Sequence, residues 1–331
     1  MSSTSRRDNE HRIEKSEKTG FRPDFGQGIG LRSASDFLST RSWADRNGFP
    51  PWMLAMVWVV AAFLLFQLVG SAMALLYLMA RSDDPAEMLD TVMFMEHLDV
   101  ILIGNSVSQI LFLGMATWWI AGLSTTGSRA AFLRFRISSS ALNVAIAAVV
   151  LIIVMQPLIW FLSWVNAQIP MWEGYLAMEQ SQLEMIEHFL TSDQFILLTL
   201  FHIGVVPSVC EELLFRGYVQ RLLERSWGVF AAILLGGILF ALFHIRLTQV
   251  IPLACIGMLL GWLVWRSGSI IPAMAGHLTN NGGAVLVAYL FSDYVSEQMM
   301  QTELPPFWLL LLSAGLTIML IRYIYHNTKP E

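Results

Sequence analysis

Charge is scarce in this chain: Asp, Glu, Lys and Arg make up only 14% of its 331 residues, against 55% hydrophobic ones. That balance excludes an ordinary soluble domain and points to an integral membrane protein. Cysteine is nearly missing as well. Cys210 and Cys255 both fall in apolar stretches and read as reduced packing residues, which excludes a disulfide framework. The net charge of −5 is distributed between connections with no pooled patch, so no nucleic-acid surface is implied. No internal repeat is evident, and the apolar region reads as one membrane domain.

What is abundant is long apolar sequence. Runs sufficient to cross a bilayer occur near residues 52–80, 99–122, 141–166, 194–215, 228–245, 249–265, 270–291 and 305–325. The pattern predicts an all-α fold, a polytopic helical bundle of about eight transmembrane helices over 51–326. Basic connections are the 1–50 tail, 123–140 (Arg129, Arg134, Arg136), 216–227 (Arg216, Arg221, Arg225), Arg266 and the Arg322–Lys329 end. Acidic connections alternate with them: Asp83 to Asp90, Glu173 to Asp193 and Asp293 to Glu303. The positive-inside rule then puts both termini in the cytoplasm of a cell, or inner, membrane. The short 244–249 turn, which holds Arg246, is the one connection that departs from this alternation.

The polar, aperiodic segment 1–50 reads as a disordered cytoplasmic tail, and 327–331 as a short second one. Arg6-Arg7 has no apolar segment directly behind it, so it does not read as an export signal. Phe37, Leu38 and Trp43 fit a short interfacial helix before Pro50-Pro51. The stretch Trp172 to Asp193 fits an amphipathic helix on the outer surface.

Against this apolar background, residues 211–281 hold Glu211, Glu212, Arg216, His244, His277 and Asn281. Ionisable groups at bilayer depth are costly unless paired or facing a wet cavity, so the cluster marks a functional site. Gly228, behind the polar run Glu224-Arg225-Ser226, is the expected helix-to-helix turn. Glu211 and His244 each lie about 16 positions from it, roughly 24 Å along their own helices, and so at one depth. His277 starts about 14 Å above the Arg266–Gly268 turn, which is compatible with that level. Glu212 and Arg216 pair at i,i+4, while Glu211 points about 100° away and is free to face a cavity. His277 and Asn281 share a helix face, with Asn280 slightly rotated from it. His202 falls on the opposite face from Glu211 and reads as a packing histidine. Asn105, Ser106, Ser108 and Gln109 read as interhelical hydrogen-bonding groups.

Glu211-Glu212-x-x-x-Arg216, Phe240-x-x-x-His244 and His277-x-x-x-Asn281, in this order on successive helices, resemble the three motifs of the CPBP family, the CAAX proteases and bacteriocin-processing enzymes also called Abi. The family includes the type II CAAX prenyl protease, and the resemblance covers a core of about 195–295. It implies an intramembrane endopeptidase acting on a membrane-associated peptide or protein in the lipid bilayer. Glu211 would be the general base on a water, assisted by His244, with His277 and Asn281 stabilising the oxyanion. Glu212, Arg216, Phe240 and Asn280 would support them. A desolvated carboxylate is a stronger base than a solvated one, and Asn or His donors aimed at a developing oxyanion are a large catalytic contribution. The implied reaction needs no cofactor. Glu211, His244 and His277 also match the ligand count of a catalytic zinc site, although no HExxH pattern is present. Two other classes stay open: a transporter, which calls for polar residues along a whole path where these concentrate at one level, and a catalytically silent scaffold that regulates a partner protein.

Overall fold

The computed structural model describes residues 41–81, 97–181, 196–291 and 303–329, and Ser42–Glu331 forms one compact unit. The expectations for residues 1–40, including Arg6-Arg7, Phe37 and Leu38, and for 82–96, 182–195 and 292–302 lie outside the described residues. Everything regular among the described residues is helical.

Helix α1 (Trp43–Arg46) is a single turn closed by a reciprocal cap between Ser42 and Asp45. It is tied down by Ala44 N–H donating to the Leu123 carbonyl at 2.9 Å. Next come α2 (Pro51–Arg81), α3 (Leu98–Ala121), the short α4 (Arg129–Phe132), α5 (Ser139–Ala167) and α6 (173–181). A continuous run, Ile196–Phe243, follows. At Gly228 its backbone leaves the helical region (φ 81°, ψ 171°), which divides it into α7 (196–227) and α8 (229–243). The chain closes with α9 (Val250–Ser267), α10 (Ile271–Leu290) and α11 (Phe307–Asn327).

Six helices among the described residues are long and apolar enough to cross a membrane, which makes this a multi-pass membrane protein. The number differs from the eight expected for two physical reasons. The 48-residue run Ile196–Phe243 holds two of the expected spans, joined without a loop at the Gly228 break. Ile271–Leu290 is not among the six, because His277, Thr279, Asn280 and Asn281 dilute its apolar character.

The basic connections gather at one end of the bundle. Trp52 N–H reaches Ser226 Oγ, Arg225 reaches the Ser124 carbonyl, and Ile270 N–H donates to the Arg134 carbonyl. The buried Arg134 grips Glu224 through two parallel bonds of 2.9 and 2.8 Å. Arg266 holds the end of α11 through the Tyr325 carbonyl and Thr328.

At the opposite end, α6 lies against the turn that follows His244. Tyr175 Oη–H donates to the Ile245 carbonyl at 2.9 Å and accepts from Leu247 N–H at 2.7 Å. Buried Glu179 takes Arg246 Nε at 3.4 Å and a short bond from Thr248 Oγ1. Arg246, the exception to the charge pattern, is thus neutralised by Glu179 of α6. Asn166, the last turn of α5, clamps the same connection through the Leu247 carbonyl and Ile251 N–H.

Two apolar clusters fill the bundle. One joins α2, α3, α7 and α8 around Phe215, Tyr218 and Phe240; the other joins α5, α9, α10 and α11 around Leu151, Leu260 and Ile270. Leu213 touches both, so the part of α7 that carries Glu211 and Glu212 runs along their boundary. Helices α8 and α9 cross at backbone distance: a Cβ on Gly257 would lie 2.8 Å from Gly237 Cα, a close approach that small residues permit.

Candidate active site

The local winding of α7 sets up the site. Glu211 and Glu212 end an α-helical turn, Val206–Glu212, flanked by π-helical segments at Leu200–Val205 and Leu213–Val219. Such wide turns inside α-helices recur at functional sites. Glu212 and Arg216 both face the interior, 0% and 2% exposed, with Arg216 Nη1 donating to Glu212 Oε1 at 2.7 Å. Arg216 Nη2 donates to the Gly257 carbonyl at 3.0 Å, a contact the glycine crossing of α8 and α9 makes possible.

Glu212 has a second partner. His277 Nδ1 lies 2.8 Å from the same Oε1, so the carboxylate bridges a guanidinium and an imidazole. Facing a carboxylate, Nδ1 carries the proton and Nε2 is left to accept. Asn281 Nδ2 donates to that Nε2 at 3.2 Å and to the Ile203 carbonyl of α7 at 3.2 Å.

His244 is oriented by its own helix. It is the first residue after α8, and its Nδ1 lies 2.8 Å from the Phe240 carbonyl, one of the last-turn acceptors that a helix end leaves unpaired. Carbonyls only accept, so the proton is again on Nδ1 and the Nε2 lone pair points into the site. The Phe240 ring packs edge-on against His244 and His277 at 4.8 and 5.6 Å, with the Arg216 guanidinium 4.4 Å over its face.

Glu211 completes the arrangement. Its carboxylate is buried, and Oε2, which hydrogen-bonds to no described residue, lies 3.9 Å from His244 Nε2 and 4.0 Å from His277 Nε2. These separations exceed a direct hydrogen bond. His244 is the most open of the three, with about a quarter of its side chain exposed, so access is from its side.

A zinc ion is not well matched by this set. Two ligands about 2.0–2.1 Å from a tetrahedral ion are roughly 3.3 Å apart, less than either Glu211 separation. Among the described residues no group of three His, Cys, Asp or Glu side chains is arranged to hold a metal.

The structure thus brings Glu211, Glu212, Arg216, Phe240, His244, His277 and Asn281 together, with Asn280 beside Asn281 through Nδ2 to Oδ1 at 3.2 Å. His202 stays outside, bonding Ser106 of α3 at 2.7 Å. Sequence reasoning missed Gln156 of α5, whose Nε2 lies 3.5 Å from Asn280 Oδ1. It also missed Gln220, which donates to Glu224 and to the Gly261 carbonyl. The signal for Gln220 was available: Glu212, Arg216, Gln220 and Glu224 recur every four residues, one polar stripe down an apolar helix.

Comparison of the chain with curated proteins and with solved structures gives no match. Residues 193–283 match a protein-family model described as type II CAAX prenyl endopeptidase Rce1-like. That segment spans all three motifs and every residue of the cluster from Glu211 to Asn281, and it is similar there to the Rce1-like type II CAAX prenyl endopeptidases.

Proposed function

We propose that this protein is an intramembrane endopeptidase that hydrolyses a peptide bond of a membrane-associated protein or peptide, using water activated by Glu211 and His244. The observation that carries the reading is the single buried oxygen, Glu211 Oε2, facing two imidazole Nε2 atoms at 3.9 and 4.0 Å while both Nδ1 atoms are engaged elsewhere. A water held between Glu211 and His244 meets two acceptors and gives up a proton as its oxygen attacks the peptide carbonyl. The proton moves to Glu211. As the tetrahedral intermediate collapses, the C–N bond breaks and the leaving amine takes a proton back, with His244 next to the carboxylate as the relay. One water is consumed, and one carboxylate and one amine are formed.

The oxyanion is assigned to Asn281 Nδ2, which turns the hydrogen it gives to His277 Nε2 toward the developing charge and keeps its bond to the Ile203 carbonyl. Glu212 sits behind His277 on Nδ1 and so keeps its Nε2 as the acceptor that orients Asn281, and Arg216 holds Glu212 in place. We further propose eight membrane crossings with both termini cytoplasmic, the arrangement favoured by the grouping of basic connections at one end of the bundle.

The test is a comparison of membrane proteomes from cells expressing wild-type and Glu211→Gln protein. A fragment present with wild-type and lost with Glu211→Gln is the expected result. Identical fragment sets would overturn the endopeptidase and favour a silent scaffold.

A further inference from the structure

Three side-chain amides lie in a row beside His277, and their direction is settled at both ends by groups that can only accept. At the outer end Gln156 Nε2 donates to the Ile152 carbonyl at 3.1 Å and faces Asn280 Oδ1 at 3.5 Å. Asn280 Nδ2 then donates to Asn281 Oδ1 at 3.2 Å. At the inner end Asn281 Nδ2 donates to the Ile203 carbonyl and to His277 Nε2, both at 3.2 Å. An amide has a donor end and an acceptor end of nearly the same shape. Reversing any one of the three sets nitrogen against nitrogen or oxygen against oxygen. With a backbone carbonyl terminating the row on α5 and another on α7, only one direction satisfies every link.

That direction matters because only the nitrogen end of Asn281 can donate to an oxyanion. We infer that Asn280, backed by Gln156, is a positioning residue that holds the Asn281 amide with its nitrogen toward the reaction centre. The inference rests on the assignment of Asn281 to the oxyanion made above.

It makes an unusual ranking of substitutions. Asn280→Asp nearly conserves shape but replaces the donor with an acceptor. The Asn281 amide is then drawn round to donate outward, and the oxyanion loses its donor, a loss worth on the order of 100-fold in rate. Asn280→Leu removes both partners but leaves Asn281 held by Ile203 and His277, so the rate falls by only about 3-fold, the size expected for one lost neutral hydrogen bond. A packing role would give the opposite ranking, because leucine is the larger change in polarity and aspartate the smaller change in shape.

The experiment has two arms on full-length protein. In membranes, the release rate of the fragment lost in Glu211→Gln is compared for wild-type, Asn280→Asp and Asn280→Leu at matched protein levels. In detergent micelles, the side-chain amide signal of Asn281 is followed by NMR with nitrogen-15 asparagine, assigned by its disappearance in Asn281→Ala. The expected result is a slower Asn280→Asp than Asn280→Leu, with the Asn281 signal displaced in Asn280→Asp. A slower Asn280→Leu, or an Asn281 signal at its wild-type position in Asn280→Asp, overturns the inference. If wild-type releases no fragment that Glu211→Gln loses, the proposed function fails by itself, and the Asn281 signal still decides the direction of the row.

Discussion

His277 Nδ1 and Glu212 Oε1 lie 2.8 Å apart, and the same oxygen receives Arg216 Nη1 at 2.7 Å. The carboxylate next to the proposed base therefore has two tasks. It neutralises a buried guanidinium, and it fixes which nitrogen of an imidazole on another helix carries the proton.

The two tasks separate on mutation. Glu212→Gln leaves Arg216 charged and buried without a counterion, which costs about 3–5 kcal/mol, so both thermal stability in detergent and proteolysis fall. Adding Arg216→Met removes the stranded charge, and the double variant recovers most of the unfolding midpoint. Its cleavage stays low, because His277 still lacks the carboxylate that fixes its ring and its tautomer. Equal recovery of midpoint and cleavage would count against the second task.

Gly228 tests the break between α7 and α8. Its φ of 81° with ψ of 171° is a conformation that essentially only glycine adopts without strain, and no atom lies within 4 Å of a Cβ built there. Gly228→Ala is expected to destabilise by about 1–3 kcal/mol through the backbone alone. Gly236→Ala, also with nothing within 4 Å but inside α8, is expected to be neutral or to stabilise by up to about 1 kcal/mol. Thermal unfolding of both variants in one detergent gives the comparison.

The turn after His244 is held in a strained state. Ile245 has a φ of 53°, an uncommon conformation for a β-branched residue. Tyr175 bonds both its carbonyl and Leu247 N–H. Burial pushes the Tyr175 phenol up, so it keeps its proton and its role as donor at neutral pH. Tyr175→Phe removes both bonds, about 1–3 kcal/mol in sum, and is expected to slow cleavage several-fold by loosening His244. Tyr175→Phe with an unchanged rate would mean that α6 does not support the site.

Chelation distinguishes water activated by Glu211 and His244 from water activated by zinc. Activity of purified protein is expected to survive exhaustive dialysis against chelator. Loss restored by stoichiometric zinc would reassign the three side chains as ligands, since a bound ion lowers the pKa of its water toward neutrality.

Topology is checked by cysteine labelling of intact cells. Single cysteines at Glu173 and Arg134 are expected to react from opposite sides of the membrane. Labelling from one side would break the eight-crossing arrangement.

Much of this was legible before any coordinates. Helical spacing identified Glu212 with Arg216 and His277 with Asn281 as same-face pairs, and Gly228 as the turn, because these relations are local and follow from 3.6 residues per turn. The second partner of Glu212 and the partner of Arg246 were not legible. They are His277 and Glu179, far off in sequence, which periodicity does not reach. Gln156 was hidden for the same reason: a glutamine before Pro157 in the apolar middle of α5 gives no hint of the helix it faces.

The sequence by itself determined the membrane class, the helical architecture, and the set of polar residues too costly to leave in lipid without a purpose. It could do so because burial cost and helical repeat are properties of composition and spacing. Only the tertiary structure decided which nitrogen of each imidazole faces Glu211, which way the Asn281 amide points, and that Glu212 serves His277 as well as Arg216. Those outcomes depend on acceptors supplied by other parts of the fold, the carbonyls of Phe240, Ile203 and Gly257 and the carboxylate of Glu212, and a carbonyl takes that role only once packing has brought it within hydrogen-bonding distance.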